Sequence, residues 1–294
     1  MAVVGESGSG KSVSMRALLG LYTDAGRVSV AGSARLDGVD LVGQSRRRLR
    51  AIRGNRIALI AQDALASLNP SLTVGYQLCE AIRLHKRWDT KRVRARAIEL
   101  LNMVGIPSAS SRLSNYPHEF SGGMRQRVLI AIGLAADPEI LIADEPTTAL
   151  DVTIQAQILL LLQDIQSQTG LGLIMITHDM GVVAETADRV CVMYAGSVLE
   201  SGAVTDVFAS PRHPYSVGLL DALPRLDRID ERLKPIPGNP PRVGLLTPGC
   251  TFAPRCYMAR PECASHTMAL ETVGVHHRSA CMFWDRLENS EETP

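Results

Sequence analysis

Gly5-Glu6-Ser7-Gly8-Ser9-Gly10-Lys11-Ser12 is the stretch from which the fold of this 294-residue chain is read. It fits G-x-x-x-x-G-K-[ST] and lies between apolar Ala2-Val3-Val4 and the helix-permissive run Val13 to Leu19, the strand, loop and helix order that the pattern requires. Gly5, Gly8 and Gly10 let the backbone turn so that successive N–H groups face inward, and the positive end of the following helix adds to their attraction for a polyphosphate. Lys11 is placed to reach the β- and γ-phosphates, with the Ser12 hydroxyl on Mg²⁺. A Gly/Ser turn with a chance lysine would lack this flanking context. The pattern specifies a nucleotide, and the use made of it depends on residues further along.

The bulk numbers exclude several classes. A formal charge of +1 gives no general reason to expect a nucleic-acid partner, and Arg46-Arg47-Arg48-Leu49-Arg50 reads as a solvated helix face. No charged segment followed by an apolar stretch precedes the loop, and apolar runs such as Ile158 to Leu162 are too short to span a bilayer. A cytosolic chain is expected. Its six cysteines are then not read as disulfides. Cys79 and Cys191 stand alone, while Cys250, Cys256, Cys263 and Cys281 crowd into the tail.

Beyond the loop helix, the segments from Val28 to Leu36 and a turn at Asp37-Gly38 suggest a small antiparallel hairpin. Arg56 to Ala61 reads as a compact strand ending at Gln62. Residues from about 70 to 136 lack strand patterns and read as a helical insertion. Its last helix is capped by Ser121, carries Met124, Val128, Ala131, Ile132 and Ala135 at helical spacing, and closes at Asp137-Pro138. Strand character returns in Ile140 to Ala143, followed by Asp144-Glu145-Pro146. A helix is expected from about Thr153 to Gln168 with Gly170 as its stop, then a buried strand from Leu173 to Thr177 ending at His178. Asp188 to Tyr194 and Ser197 to Ser201 read as a closing hairpin around Ala195-Gly196. Alternating strands and helices imply an α/β fold with a mainly parallel sheet, whose ligands sit at the carboxyl ends of the strands. The sheet is expected to end near residue 205, before the proline-rich Pro235 to Pro241.

Asp144 and Glu145, at the end of an apolar strand, are the natural partners of the cradle. The first carboxylate suits Mg²⁺ and the second suits a general base for the attacking water. Gln62 and His178 gain weight only from their shared placement at strand ends, since a lone Gln or His is usually a satisfied structural group.

Gly5 to Ser12, Gln62, Phe120-Ser121-Gly122-Gly123-Met124, Ile140 to Pro146, Thr148-Ala149-Leu150-Asp151 and His178 follow one another as in an ABC-type ATPase. They resemble its Walker A, Q-loop, signature, Walker B, D-loop and H-loop over residues 1 to about 205, with Met124 where many members have Gln. The resemblance implies a P-loop NTPase fold that binds ATP and Mg²⁺, with Ser12, Gln62 and Asp144 at the metal and Glu145, Gln62 and His178 in catalysis. It also implies pairing with a second ATPase subunit, so that Ser121, Gly122, Gly123 and Asp151 close on a γ-phosphate held by the other cradle. Gln62-Asp63, Ser67-Leu68-Asn69-Pro70, Ser121 to Arg127, His213-Pro214-Tyr215 and Gly249 to Cys256 resemble the ATPase subunits of dipeptide, oligopeptide and nickel importers. For such a subunit the implied setting is the cytoplasmic face of the cell membrane, below two permease subunits, with an external binding protein in the full system. Gln62 to Pro70 and the helical insertion are the candidate permease contacts. The domains are then a cassette over 1–205, with its helical subdomain at about 70–136, and an extension over 206–294. The rival readings are a soluble or regulatory ABC ATPase and a nickel-complex importer.

The tail cysteines have the spacing C-x₅-C-x₆-C-x₁₇-C. Four clustered thiols suit a Cys₄ zinc site or an iron–sulfur cluster, or they are core thiols. The absence of a tight C-x₂₋₄-C pair weighs against zinc, and the resemblance implies a [4Fe–4S] cluster in a small, irregular Cys-rich extension. At the other end, members of the family have strands before the cradle, with an aromatic that stacks on adenine. Only Met1 to Val4 precede Gly5 here, Tyr22 is the nearest aromatic, and an upstream segment is expected.

Overall fold

The computed structural model describes residues 1–22, 28–148, 150–223, 235–241 and 248–287. The chain forms two compact units, one of Met1–Val13 with Ile176–Pro294 and the other of Ser14–Met175.

The first unit opens with β1 (Ala2–Val4), which is buried throughout. The glycine loop leads from it into α1 (Lys11–Leu18), within which the unit boundary falls.

In the second unit, β2 (Arg35–Leu36) and β3 (Val39–Asp40) form a hairpin only two residues per strand. Its turn uses Asp37 at φ 46° and Gly38 at φ 76°, the left-handed pair that a two-residue hairpin needs. The small hairpin expected with its turn at Asp37-Gly38 is thus present, its first strand starting at Arg35 and not near Val28, and residues 28–34 bury almost nothing. α2 (Arg46–Ile52) is capped by Ser45, buries Leu49 and Ile52, and leaves Arg46, Arg47, Arg48 and Arg50 exposed. β4 (Ile57–Ile60) follows, then α3 (Ala64–Ser67), α4 (Val74–His85), α5 (Thr90–Met103), α6 (Ala109–Arg112) and α7 (Gly122–Gly133). The side chains of Thr73, Asp89 and Ser121 accept from backbone N–H groups of the first turns of α4, α5 and α7, which satisfies donors a helix start leaves unpaired. The stripes Leu78 and Ile82, Val93, Leu100 and Leu101, and Val128 and Ile130 are all fully buried in one core. α7 stops at Gly133, one turn before the Asp137-Pro138 close read from the sequence.

β5 (Ile140–Asp144) pairs in parallel with β4, from Ile57 opposite Ile140 to Ile60 opposite Ala143. α8 (Val152–Thr169) starts at the Asp151 cap and stops at Gly170, φ 69°, and β6 (Gly172–Thr177) carries the chain across the unit boundary.

The first unit resumes with α9 (Met180–Thr186), β7 (Arg189–Tyr194), β8 (Ser197–Ala203), α10 (Val204–Ala209) and α11 (Pro214–Asp221). β7 runs parallel to β1 and turns through Ala195 and Gly196 into antiparallel β8. The sheet does not end there. β9 (Glu271–Gly274) and β10 (His277–Ser279) add to it, with β10 antiparallel to β8 and β9 antiparallel to β10. His277 Nε2 meets Glu200 Oε1 at 2.7 Å, both groups buried. Neither tail strand alternates apolar and polar residues, so only the open edge of β8 reveals them. Tyr194, Tyr215 and Phe252 form the aromatic centre of this unit's core. Among the described residues no helix is long and apolar enough to cross a membrane.

Candidate functional site

The phosphate loop is built by β1 and β7. Gly5 has φ +148°, and a Cβ there would stand 2.0 Å from the Met193 carbonyl oxygen at the end of β7. Gly8 and Gly10, at φ +80° and +97°, complete the turn. Gly196 N–H donates to the Ser9 carbonyl at 2.9 Å, so the β7–β8 turn holds the loop from outside. Lys11 is 5% exposed, and its Nζ donates to Gly5 O at 2.7 Å, Glu6 O at 3.0 Å and Ser9 Oγ at 3.3 Å. The ammonium is therefore fixed inside the curl of the loop at the start of α1, at the positive end of the helix dipole. Ser12 follows it on the first turn of α1. Ser7 is exposed on the loop surface. His178, also exposed, lies between β6 and α9, whose cap Asp179 accepts from Gly181 and Val182 N–H.

In the other unit, parallel β4 and β5 bring their carboxyl ends to one edge. Asp144 closes β5 fully buried, with an Arg16 guanidinium nitrogen 3.4 Å from Oδ2. Glu145 takes φ +47°, a left-handed conformation that costs a non-glycine residue of order 1–3 kcal/mol and marks functional sites. Its Oε2 accepts from Gln62 Nε2 at 2.7 Å and from Thr148 Oγ1 at 2.8 Å. Two residues read separately from the sequence, Gln62 and Glu145, are thus in direct contact. Thr148 and Arg16 are partners that sequence reasoning missed, since a hydroxyl and a cation at those positions follow no pattern of their own. Ala149 lies outside the described residues.

Ser121 and Gly122 are exposed at the start of α7, and Gly123 is buried. A Cβ on Gly123 would come 2.5 Å from Ile154 Cγ2, so the glycine allows α8 to pack against the first turn of α7. Asp151 caps α8 by accepting from Ile154 N–H at 2.9 Å. Next to this lies a cavity of 480 Å³ lined by Gln62, Asp63, Gly122, Arg125, Gln126 and Thr148.

The tail thiols converge. Cys250, Cys256, Cys263 and Cys281 line one cavity of 20 Å³ with His266 and Phe252, which is room for about one water. All six cysteines are free. Burial, helped by the neighbouring thiols, pushes Cys256 up to about 11 and Cys281 up to about 12, and burial also raises Cys250. These thiols are therefore protonated at neutral pH. By type the donors suit a soft metal. Among the described residues no group of three or more His, Cys, Asp or Glu is already disposed to hold an ion. The four cysteines of the expected metal site are thus brought to one cavity.

A glycine loop closed around a lysine, with a strand-end aspartate and a tethered glutamate elsewhere in the chain, defines a nucleotide-hydrolysing protein of the P-loop class. Comparison with known proteins narrows this. Residues 1–148 match the family model described as ABC transporter, and residues 199–263 match that of the oligopeptide/dipeptide transporter C-terminal region. The chain belongs to the ABC transporter family and is an ATPase of that family. It is 50% identical to the oligopeptide transport ATP-binding protein OppD of Haemophilus influenzae over 263 residues, covering 90% of this chain and 81% of that protein. It is likewise 50% identical to OppD of Mycobacterium tuberculosis (strain ATCC 25618 / H37Rv) over 284 residues, 96% of this chain but 46% of that one. Among solved structures, the dimeric ATP-binding cassette MJ0796 in a post-hydrolysis state with ADP and Pi superposes with a TM-score of 0.60 at 28% identity, over 69% of this chain and 84% of that one.

Proposed function

We propose that this chain is the ATP-hydrolysing subunit of an importer for dipeptides and oligopeptides, coupling MgATP binding and hydrolysis to transport through partner permeases. The observation that carries the hydrolytic part is the Glu145 carboxylate, held by Gln62 and Thr148 directly after the buried Asp144. The peptide part is supported by the match of residues 199–263 to the peptide transporter C-terminal region.

In this reading the N–H groups of Gly5 to Ser12 and the Lys11 ammonium hold the phosphates, and Ser12, Gln62 and Asp144 are the Mg²⁺ residues. Mg²⁺ supplies charge neutralisation on the phosphate oxygens. Glu145 orients the attacking water and takes its proton, with Gln62 aligning the carboxylate and His178 at the γ-phosphate. Ser121, Gly122, Gly123 and Asp151 serve the nucleotide of a second ATPase subunit, identical or not. The helix start behind Ser121 suits an anion. Two permease subunits, docked on Gln62 to Pro70 and the helical insertion, place the assembly at the cytoplasmic face of the membrane, and an external binding protein supplies cargo. The cassette is assigned to residues 1–205 and the extension to 206–294.

Replacing Glu145 by Gln in the complex with its permeases is expected to lower ATP hydrolysis at least ~10²-fold, the lower end for loss of a general base, while MgATP binding persists. Unchanged turnover would remove Glu145 from the mechanism. Peptides retained by the co-purifying binding protein would support the cargo, and a nickel complex there would replace it.

The four tail cysteines are assigned to a soft-metal centre, [4Fe–4S] ahead of zinc, in a structural or regulatory role. The support is their convergence on one cavity, and the cavity walls must move apart to admit the group. Anaerobic purification followed by iron, sulfide and zinc analysis tests it, with about four irons and four sulfides per chain expected. None of the three elements would leave four core thiols.

A further inference from the structure

Glu6 is an anomaly in a loop whose chemistry attracts anions. Its carboxylate belongs to the second residue of the cradle, where it would repel a polyphosphate. The structure answers this charge from the far end of the chain. Arg255 Nη1 donates to Glu6 Oε2 at 2.7 Å and Nη2 donates to Oε1 at 3.0 Å, a bidentate pair. Arg255 is 6% exposed at its side chain and Glu6 25%, so the pair is largely withdrawn from solvent.

The remaining donors of the guanidinium are also used. Nε donates to Pro237 O at 2.7 Å, Nη1 to Tyr194 Oη at 3.2 Å and Nη2 to Ile236 O at 3.3 Å. A guanidinium has five N–H donors, and each meets an acceptor on the loop, at the end of β7 or in the proline-rich segment. The backbone of Arg255 is fixed as well, donating its N–H to Phe252 O at 2.9 Å. Phe252 packs edge-on against Tyr194 at 5.3 Å and against Tyr215 at 5.2 Å. Tyr215 Oη in turn accepts the Glu6 N–H at 2.8 Å. Glu6 is therefore gripped by its carboxylate and its amide, in both cases by residues after position 210.

We propose that Arg255 is a positioning residue of the nucleotide site: it neutralises the Glu6 carboxylate and turns it away from the phosphates, which makes the affinity for MgATP depend on the C-terminal extension. This rests on the nucleotide-binding role of the loop. It differs from a plain anchor, because an anchor would hold the loop equally well for any ligand. Arg255 acts through charge, so its loss is felt in proportion to the phosphate charge of the ligand.

The test is equilibrium binding of MgATP, MgADP and adenosine to the full chain, together with steady-state hydrolysis. Arg255→Ala is expected to weaken MgATP about tenfold, the size of one strong charge-assisted contact. It should weaken MgADP less, leave adenosine unchanged, and raise KM with kcat nearly constant. Adding Glu6→Gln to Arg255→Ala should recover most of the loss, since the carboxylate that needed neutralising is gone, and Arg255→Lys should fall between. An Arg255→Ala affinity within twofold of wild type, or no recovery with Glu6→Gln, overturns the proposal while leaving the loop as the nucleotide site. A wild-type chain that fails to bind MgATP overturns both. Should Arg255→Ala fail to fold by circular dichroism, Glu6→Gln alone decides: tighter MgATP binding that weakens more steeply with salt supports the role, and unchanged or weaker binding overturns it.

Discussion

Gly5 shows how one residue type can be required twice over. Its φ of +148° is open only to glycine, and a methyl group would meet a backbone oxygen at 2.0 Å rather than a side chain able to swing away. Gly5→Ala is expected to lower stability by at least about 3 kcal/mol and to abolish nucleotide retention, measured by thermal melting and by MgATP binding on the same preparation. The neighbouring Gly8 has nothing within 4 Å of its Cβ position, so only its backbone conformation is at stake. The glycines were legible in sequence, but their unequal cost was not. That cost depends on Met193, which reaches the loop only because β7 lies parallel to β1.

At the scale of the element, α11 is held by a buried cap. His213 is 1% exposed, and its Nδ1 accepts from Tyr215 N–H at 3.1 Å. That nitrogen must be unprotonated to accept, and burial accordingly drives the imidazole down to about 3. The folded-state value lies below the unfolded one of 6.5, so between these pH values the unfolded chain binds the extra proton. The stabilisation is full above the unfolded value and is lost as pH falls through the window, at up to about 1.4 kcal/mol per pH unit. His213→Asn keeps an N-cap acceptor and removes the titration. Denaturant unfolding from pH 6.5 downward should show a shallower loss of stability for this variant than for wild type. Sequence alone offers His213-Pro214-Tyr215 as a family marker and gives no sign that the histidine is neutral. Helices and strands with strong periodicity, such as α4, α5 and α8, were readable because each buries a continuous stripe. β9 and β10 were not, because their place is set by pairing with β8 and not by a pattern of their own.

For the whole molecule, the proposed second ATPase subunit makes a prediction that no single chain can meet. With hydrolysis blocked by Glu145→Gln, the chain together with the ATPase subunit that co-purifies with it should associate in MgATP and separate when nucleotide is removed. Ser121→Arg, which puts a bulky cation at the start of α7, should prevent association in the same background. Light scattering with and without MgATP reads both, and nucleotide-independent behaviour would count against the composite site.

The sequence by itself determined the cradle, the strand-end carboxylates and the family. Each of these is a short run of neighbouring residues whose chemistry is complete locally: inward N–H groups, a lysine, and acids after an apolar strand. Tertiary structure alone decided what those runs touch. Gln62 reaches Glu145, Arg16 reaches Asp144, and four thiols share one small cavity. Arg255 and Glu6 lie 249 positions apart, and a contact across that distance leaves no local trace. It exists because the tail folds back along β8 and sets Phe252 between two tyrosines, which aims a guanidinium at the one acid in the loop.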